Sequence, residues 1–155
     1  MAEIDIGQAA PDFELPADGG KTMTLSDLRG KKVVLFFYPK DDTSGCTAEA
    51  IDFTRLKDAF EAAGTLVIGM SPDSVKKHDK FKVKHELTVD LVSDEDKTAL
   101  EAYGVWVEKS MYGRKYMGVE RSTFLIGPDG KILRIWRKVK VPGHADEVLE
   151  AAKSA

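Results

Sequence analysis

The chain has one cysteine, Cys46, in the segment Tyr38-Pro39-Lys40-Asp41-Asp42-Thr43-Ser44-Gly45-Cys46-Thr47-Ala48-Glu49. Before it runs Lys32-Val33-Val34-Leu35-Phe36-Phe37-Tyr38, apolar, β-branched and aromatic, the pattern of a strand buried on both faces. After it, Ala50, Phe53, Leu56, Lys57 and Phe60 fall at helical spacing. The thiol therefore sits in the first turn of a helix that follows a buried strand, the edge of an α/β sheet where ligand sites gather. Unpaired backbone N–H groups and the positive end of the helix dipole favour thiolate there. A cysteine can also be no more than a small buried hydrophobe. Gly45, Thr47 and the polar run around them favour the reactive reading.

The residue types narrow the reaction. Dithiol exchange needs a second thiol at C-x-x-C spacing, and that position is Thr43. One thiol excludes an intrachain disulfide framework and a cysteine-built zinc site. Hydrolytic cysteine chemistry needs a histidine base with an orienting partner, and none of His78, His85 and His144 has a local arrangement pairing it with Cys46. What remains is an electrophile with a weak bond and an anionic leaving group, which asks only for thiolate, donors and a cation. A peroxide fits. Ionisation alone is insufficient, since full conversion of a thiol of pKa ~8.5 to thiolate gains roughly 30-fold at pH 7, about 2 kcal/mol. A lowered pKa also makes the sulfur less nucleophilic. Donors aimed at the transition-state oxygens, each worth roughly 10²- to 10³-fold, must supply the rest. The Thr43 hydroxyl is within reach, and the candidate cation is Arg121, polar at the start of Arg121-Ser122-Thr123-Phe124-Leu125-Ile126. Spacing alone leaves a surface arginine equally open.

The elements that must hold these groups follow from pattern. Two short strands around Phe13-Glu14-Leu15 and Thr22-Met23-Thr24-Leu25 flank the turn Pro16–Gly20. The strand over 32–38 leads to a helix from Thr47 to Ala63 that stops at Gly64. Thr65–Met70 is a second buried strand, and Ser71-Pro72-Asp73 reads as the cap and first turn of the next helix. Asp90-Leu91-Val92 is a third strand, Ser93-Asp94-Glu95 caps another helix, and Tyr103-Gly104 ends it. Gly113, Arg114, Lys115 and Gly118 are too irregular for a phosphate loop and read as a mobile loop near the mouth of the site. Two further strands, Arg121–Ile126 and Lys131–Lys138, surround Gly127-Pro128-Asp129-Gly130 as an antiparallel hairpin, and a helix from about His144 to Lys153 closes the chain. Parallel strands first and a hairpin and helix last predict an α/β, thioredoxin-like fold with a mixed central sheet flanked by helices.

With 155 residues, 43% hydrophobic and 32% charged, the chain has the size and composition of one globular domain. A net charge of −3 is far from the dense positive field of nonspecific nucleic-acid binding. The basic stretch Lys76, Lys77, Lys80, Lys82 and Lys84 is broken by Asp79 and Glu86 and reads as a solvated helix face. His78 and His85 lack a third ligand, so no metal is expected. Trp106 and Trp136 read as packing residues. Glu3 and Asp5 stand where a secretory signal would be basic and then apolar, and no run of 18 apolar residues occurs, so a cytoplasmic protein without a membrane span is expected.

The site segment resembles a known family. Pro39-x-x-x-Thr43-x-x-Cys46 is similar to the active-site signature of peroxiredoxins, and the longer run from Tyr38 to Glu49 to their bacterioferritin comigratory protein, or peroxiredoxin Q, branch. The likeness continues through Leu91–Asp94, Tyr116–Ile126 and Trp136–His144 and covers nearly the whole chain. It implies one peroxiredoxin domain over 1–155, a thioredoxin fold with an N-terminal β extension, and a thiol-dependent peroxidase without a cofactor. By the same resemblance Cys46 is the peroxidatic cysteine, Thr43 bonds sulfur and peroxide, Pro39 shields the pocket, Arg121 stabilises thiolate and transition state, and Glu49 orients an arginine. A monomer is favoured.

The chain departs from the branch where a second cysteine often stands. Five residues after Cys46 is Ile51, and the alternative place in the following helix reads Phe81-Lys82-Val83-Lys84. An external thiol must then reduce the sulfenic acid, which predicts a 1-Cys mechanism. Thioredoxin, glutaredoxin with glutathione and other thiols stay open as reductants, as do hydrogen peroxide and organic hydroperoxides as substrates. Where the branch often has Phe-Arg, Thr54 separates Phe53 from Arg55, and Arg55 is given no role. A peroxide sensor and a redox-inactive binding or chaperone module on the same scaffold are the rival readings.

Overall fold

The computed structural model describes residues 4–155; Glu3, used in reading the N-terminus, lies outside them. Strand β1 (Glu14–Pro16) pairs antiparallel with β2 (Thr22–Thr24) around a 3₁₀ turn at Asp18–Gly20. The central strand β3 (Lys32–Phe37) is followed by α1 (Ser44–Arg55), α2 (Lys57–Ala62), β4 (Thr65–Ser71), α3 (Val75–His85), β5 (Asp90–Ser93) and α4 (Thr98–Ala102). A two-stranded arm of β6 (Trp106–Met111) and β7 (Arg114–Val119) comes next, then β8 (Ser122–Ile126), β9 (Ile132–Trp136) and α5 (His144–Ser154). The main sheet has the order β5-β4-β3-β8-β9, with β3, β4 and β5 parallel and β8 antiparallel to both its neighbours β3 and β9, as a mixed thioredoxin-like sheet requires.

Alternation along β3 divides the core into two. Val33, Leu35 and Phe37 face the N-terminal hairpin and α4, packing with Leu25, Leu100 and Tyr103. Val34, Phe36 and Tyr38 face the helices of the opposite side, with Phe53 of α1, Phe60 of α2, Phe81 of α3 and Val148 of α5. Cys46 belongs to this second cluster. Phe36 stacks on Phe53 at 4.6 Å between ring centroids, pinning α1 to the sheet. Each such ring contributes about 1.5–3 kcal/mol by burial.

Several local expectations are corrected. The helix after Cys46 is two, because Leu56 leaves helical geometry at φ −97°, ψ 3°. Ser74, accepting from the Lys77 N–H, is the cap of α3; Ser71 ends β4 and donates its hydroxyl to Asp73 instead. Helix α4 starts only at Thr98, although Asp94 still reaches it by accepting the Leu100 N–H at 2.8 Å. The segment read as a mobile loop is the β6–β7 arm, closed by Tyr112 and Gly113 with φ of 52° and 78°, the positive pair of a tight hairpin turn. No helix among the described residues is long and apolar enough to cross a membrane.

Candidate active site

The loop between β3 and α1 is fixed by buried polar contacts before the reactive residues are reached. Tyr38 donates its hydroxyl to Asp41 Oδ1 at 2.6 Å, and His78 Nδ1 lies 2.6 Å from Asp41 Oδ2. The other His78 nitrogen donates to the Val92 carbonyl at 3.0 Å, and the Asp41 N–H donates to Asp73 at 2.7 Å. Asp42, at φ 63°, is held by Lys84 and His85 of α3. The sequence reading of a solvated α3 face is therefore incomplete: His78, Lys84 and His85 grip the loop.

Thr43 is the N-cap residue of α1, in extended geometry, and its carbonyl accepts the first helical N–H from Thr47 at 2.8 Å. Its exposed hydroxyl donates to the Lys40 carbonyl at 2.9 Å and leaves its lone pairs free. Among the described residues the Cys46 sulfur has no hydrogen bond to Thr43. Pro39, half-buried, ends the strand run ahead of the loop. Cys46, in the first turn of α1, is 2% exposed.

Arg121, immediately before β8, reaches this turn and forks. Nη1 donates to Glu49 Oε1 at 2.6 Å and Nη2 to Cys46 Sγ at 3.2 Å. Gly45 makes room for the fork, since a Cβ there would lie 3.3 Å from Arg121 Nη2. Cys46 and Glu49 share one face of α1 because three residues are nearly one turn. Burial pushes the Glu49 carboxyl up to about 7 against the pull of Arg121. Burial opposes the charge on Arg121, but Glu49 and Cys46 outweigh it and hold the guanidinium more firmly protonated.

Residues 6–135 match the AhpC/TSA family. The chain is 53% identical to a putative peroxiredoxin bcp of Coxiella burnetii over 94% of this chain and 97% of that one. It is 51% identical to peroxiredoxin Bcp of Bacillus subtilis, covering 97% and 96%. The chain belongs to the AhpC/TSA family, in its Bcp/peroxiredoxin Q branch. Among solved structures it is similar to the bacterioferritin comigratory protein of Xanthomonas campestris, with TM-score 0.91 and 45% identity over 99% and 98% of the two chains. It is similar also to a cysteine-to-serine variant of peroxiredoxin Q from Xylella fastidiosa, with TM-score 0.94 and 44% identity over 99% and 98%.

In this peroxiredoxin the fold brings Cys46, Glu49 and Arg121 into direct contact, with Thr43 and Pro39 on the adjoining loop. Two neighbours were not found as site residues in the sequence. Lys109, half-buried on β6, has its ammonium disfavoured by burial and by Arg121, while Cys46 and Glu120 favour it. His144, first residue of α5, lies 2.8 Å from Thr123 Oγ1 through Nε2 and is held down to about 4 by burial and the Arg121 charge. Lys109 gave no signal because its strand has no fully buried residue and shows no apolar alternation. His144 stood in the Trp136–His144 likeness without a role.

Proposed function

We propose that the chain is a thiol-dependent peroxidase acting by a 1-Cys mechanism in a reducing compartment such as the cytoplasm, with residues 1–155 forming one catalytic domain. The observation that carries it is the Arg121 fork onto Cys46 Sγ and Glu49. The Cys46 thiolate attacks the terminal oxygen of a hydroperoxide, the O–O bond breaks, and the departing alkoxide or hydroxide takes a proton and leaves as alcohol or water. Sulfur is oxidised to sulfenic acid and the peroxide is reduced. Arg121 stabilises thiolate and developing oxyanion, Thr43 bonds the peroxide through the free face of its hydroxyl, Pro39 limits water, and Glu49 orients Arg121. Little of the thiol meets solvent, which suits a slim peroxide group.

The single cysteine supports resolution by an external thiol. That thiol, thioredoxin, glutaredoxin with glutathione or another thiol, attacks the sulfenic sulfur, releasing water and forming a mixed disulfide that a second thiol reduces. The alkyl peroxide activity named for the Xanthomonas campestris protein supports an organic hydroperoxide as substrate.

Stopped-flow oxidation of the reduced protein by hydrogen peroxide and cumene hydroperoxide, with sulfenic-acid trapping and intact mass, tests this reading. Fast oxidation lost in Cys46→Ser, followed by repeated turnover with a thiol, is expected. Oxidation at the rate of a free thiol overturns it, and a single oxidation without turnover shifts the reading to a sensor. Without reductant, excess peroxide should carry Cys46 on to the two- and three-oxygen products. A product that stops at one oxygen contradicts this step.

A further inference from the structure

The two oxygens of Glu49 are unequal. Oε1 accepts from Arg121 at 2.6 Å, whereas Oε2 is buried and, among the described residues, has no hydrogen-bond partner. The residue is 1% exposed, so bulk solvent does not reach the carboxyl. An ionised carboxyl here would leave half its charge on an oxygen that nothing neutralises, a cost that protonation removes. Among the described residues, the one cation in contact with it is already committed, because the other arm of the same guanidinium lies 3.2 Å from Cys46 Sγ. Two acids therefore draw on one cation inside a buried corner.

We propose that Cys46 and Glu49 share a single proton across Arg121, the carboxyl keeping it in the form in which the thiol is ionised. Thiolate, guanidinium and neutral carboxyl then make a balanced site. Ionising both acids leaves an excess negative charge, so each ionisation opposes the other. The inference rests on the peroxidase reading only for its effect on rate; the shared proton is an equilibrium property of the folded site.

The surrounding charges agree with this. Along α1, Asp52 adds to the pressure that keeps Glu49 protonated. Facing the fork from β6 is Lys109, whose own charge is disfavoured, and beside Arg121 stands Glu120. From α5, His144 is neutral above about pH 4 and supplies no competing cation. Arg55, farther along α1, is turned to Asp52 and Asp146 at 3.9 and 3.6 Å. Arg121 thus remains the contact that both acids need.

A residue that only props Arg121 and one that competes with the thiol predict opposite signs. The ionisation of Cys46 is followed by thiolate absorbance in the wild type and in Glu49→Gln, an isosteric change that can still accept from Nη1. The carboxyl is followed by infrared difference spectroscopy in the wild type and in Cys46→Ser, which needs no change at Glu49. The expected result is that the thiol titrates at no higher pH in Glu49→Gln than in the wild type, because glutamine stands in for the neutral carboxyl beside which the thiol ionises. The carboxyl, the second of the pair to ionise, should titrate at lower pH in Cys46→Ser by roughly one pH unit or more. Peroxide oxidation of the wild type should slow above the pH at which Glu49 loses its proton, and that alkaline fall should be absent in Glu49→Gln. A thiol titration that rises in Glu49→Gln, or a carboxyl indifferent to Cys46→Ser, overturns the proposal even where oxidation by peroxide is fast. Slow oxidation of the wild type would instead remove the peroxidase reading and leave the titrations to stand alone.

Discussion

Two buried acids of this protein, Asp18 and Glu49, each accept a hydrogen bond from one cation and behave in opposite ways. Asp18 lies in the 3₁₀ turn of the N-terminal hairpin and has both oxygens satisfied: the Leu91 N–H donates to Oδ1 and Lys82 Nζ to Oδ2, each at 2.8 Å. Burial presses its carboxyl upward, but these donors hold it below the usual carboxylate range. Glu49 has a donor on one oxygen alone, and burial pushes it up to about 7. What separates a structural acid from a chemical one here is the count of donors. At Asp18 the donors tie the hairpin to β5 and α3, while at Glu49 their scarcity keeps a proton in play beside the thiol.

Arg121→Ala should break the reactive corner most severely. Losing the donor on Cys46 Sγ is expected to slow peroxide oxidation by roughly 10²- to 10³-fold. Arg121→Lys should rescue little, because an ammonium lacks the planar fork that spans Sγ and Oε1 together. Lys82→Ala, the matching change at Asp18, should leave the oxidation rate in place. Stopped-flow kinetics on the three variants decides, and an Arg121→Ala protein as fast as the wild type would remove Arg121 from the chemistry.

Stability against pH sharpens the contrast. The folded Glu49 carboxyl is raised from 4.5 to about 7, so its ionisation costs stability increasingly as pH rises through that window and constantly above it. Relative to wild type, Glu49→Gln should gain stability between pH 4.5 and 7, by at most about 3 kcal/mol. Asp18 has the other sign: held below 3.8, it stabilises the fold above that pH, and the benefit is lost as pH falls through its lower folded value. Asp18→Asn should therefore cost about 1–3 kcal/mol near neutrality and progressively less in acid. Urea unfolding of the two variants across pH measures both slopes, and parallel slopes would erase the distinction.

The sequence carried the sheet because its central strands are continuous apolar runs, and Val33 to Tyr38 needs no partner to be read as buried. It carried Cys46 to the first turn of α1 because a buried strand, a polar loop and a helical period stand in line. It did not carry the β6–β7 arm: Met111, Tyr112, Tyr116 and Met117 are exposed, so neither face shows the alternation that burial imposes. Nor did it carry the loop anchors, since Asp41 meets His78 only after α3 has packed, 37 positions later in the chain. Arg121 was legible as a polar residue opening an apolar strand. Its fork, and the orphan oxygen behind it, depend on the close approach of Gly45 and on β8 pairing beside β3, neither of which spacing along the chain reveals.

The smallest expected effect belongs to Lys109. Its ammonium stands near enough to Cys46 and Arg121 for their charges to bear on it, yet it is not among the hydrogen-bond partners of the sulfur. Its help to the thiolate therefore acts through space and is weakened by solvent and salt, on the order of 1 kcal/mol or less. Lys109→Gln should slow peroxide oxidation a few-fold at low ionic strength, with the difference shrinking as salt is added. Lys21→Gln, beside Asp18, should do neither, although Lys21 too is partly exposed. A salt-independent loss in Lys109→Gln would mean that the side chain shapes the pocket rather than its field. The arm would then belong to the site by packing, as the N-terminal hairpin belongs to the sheet.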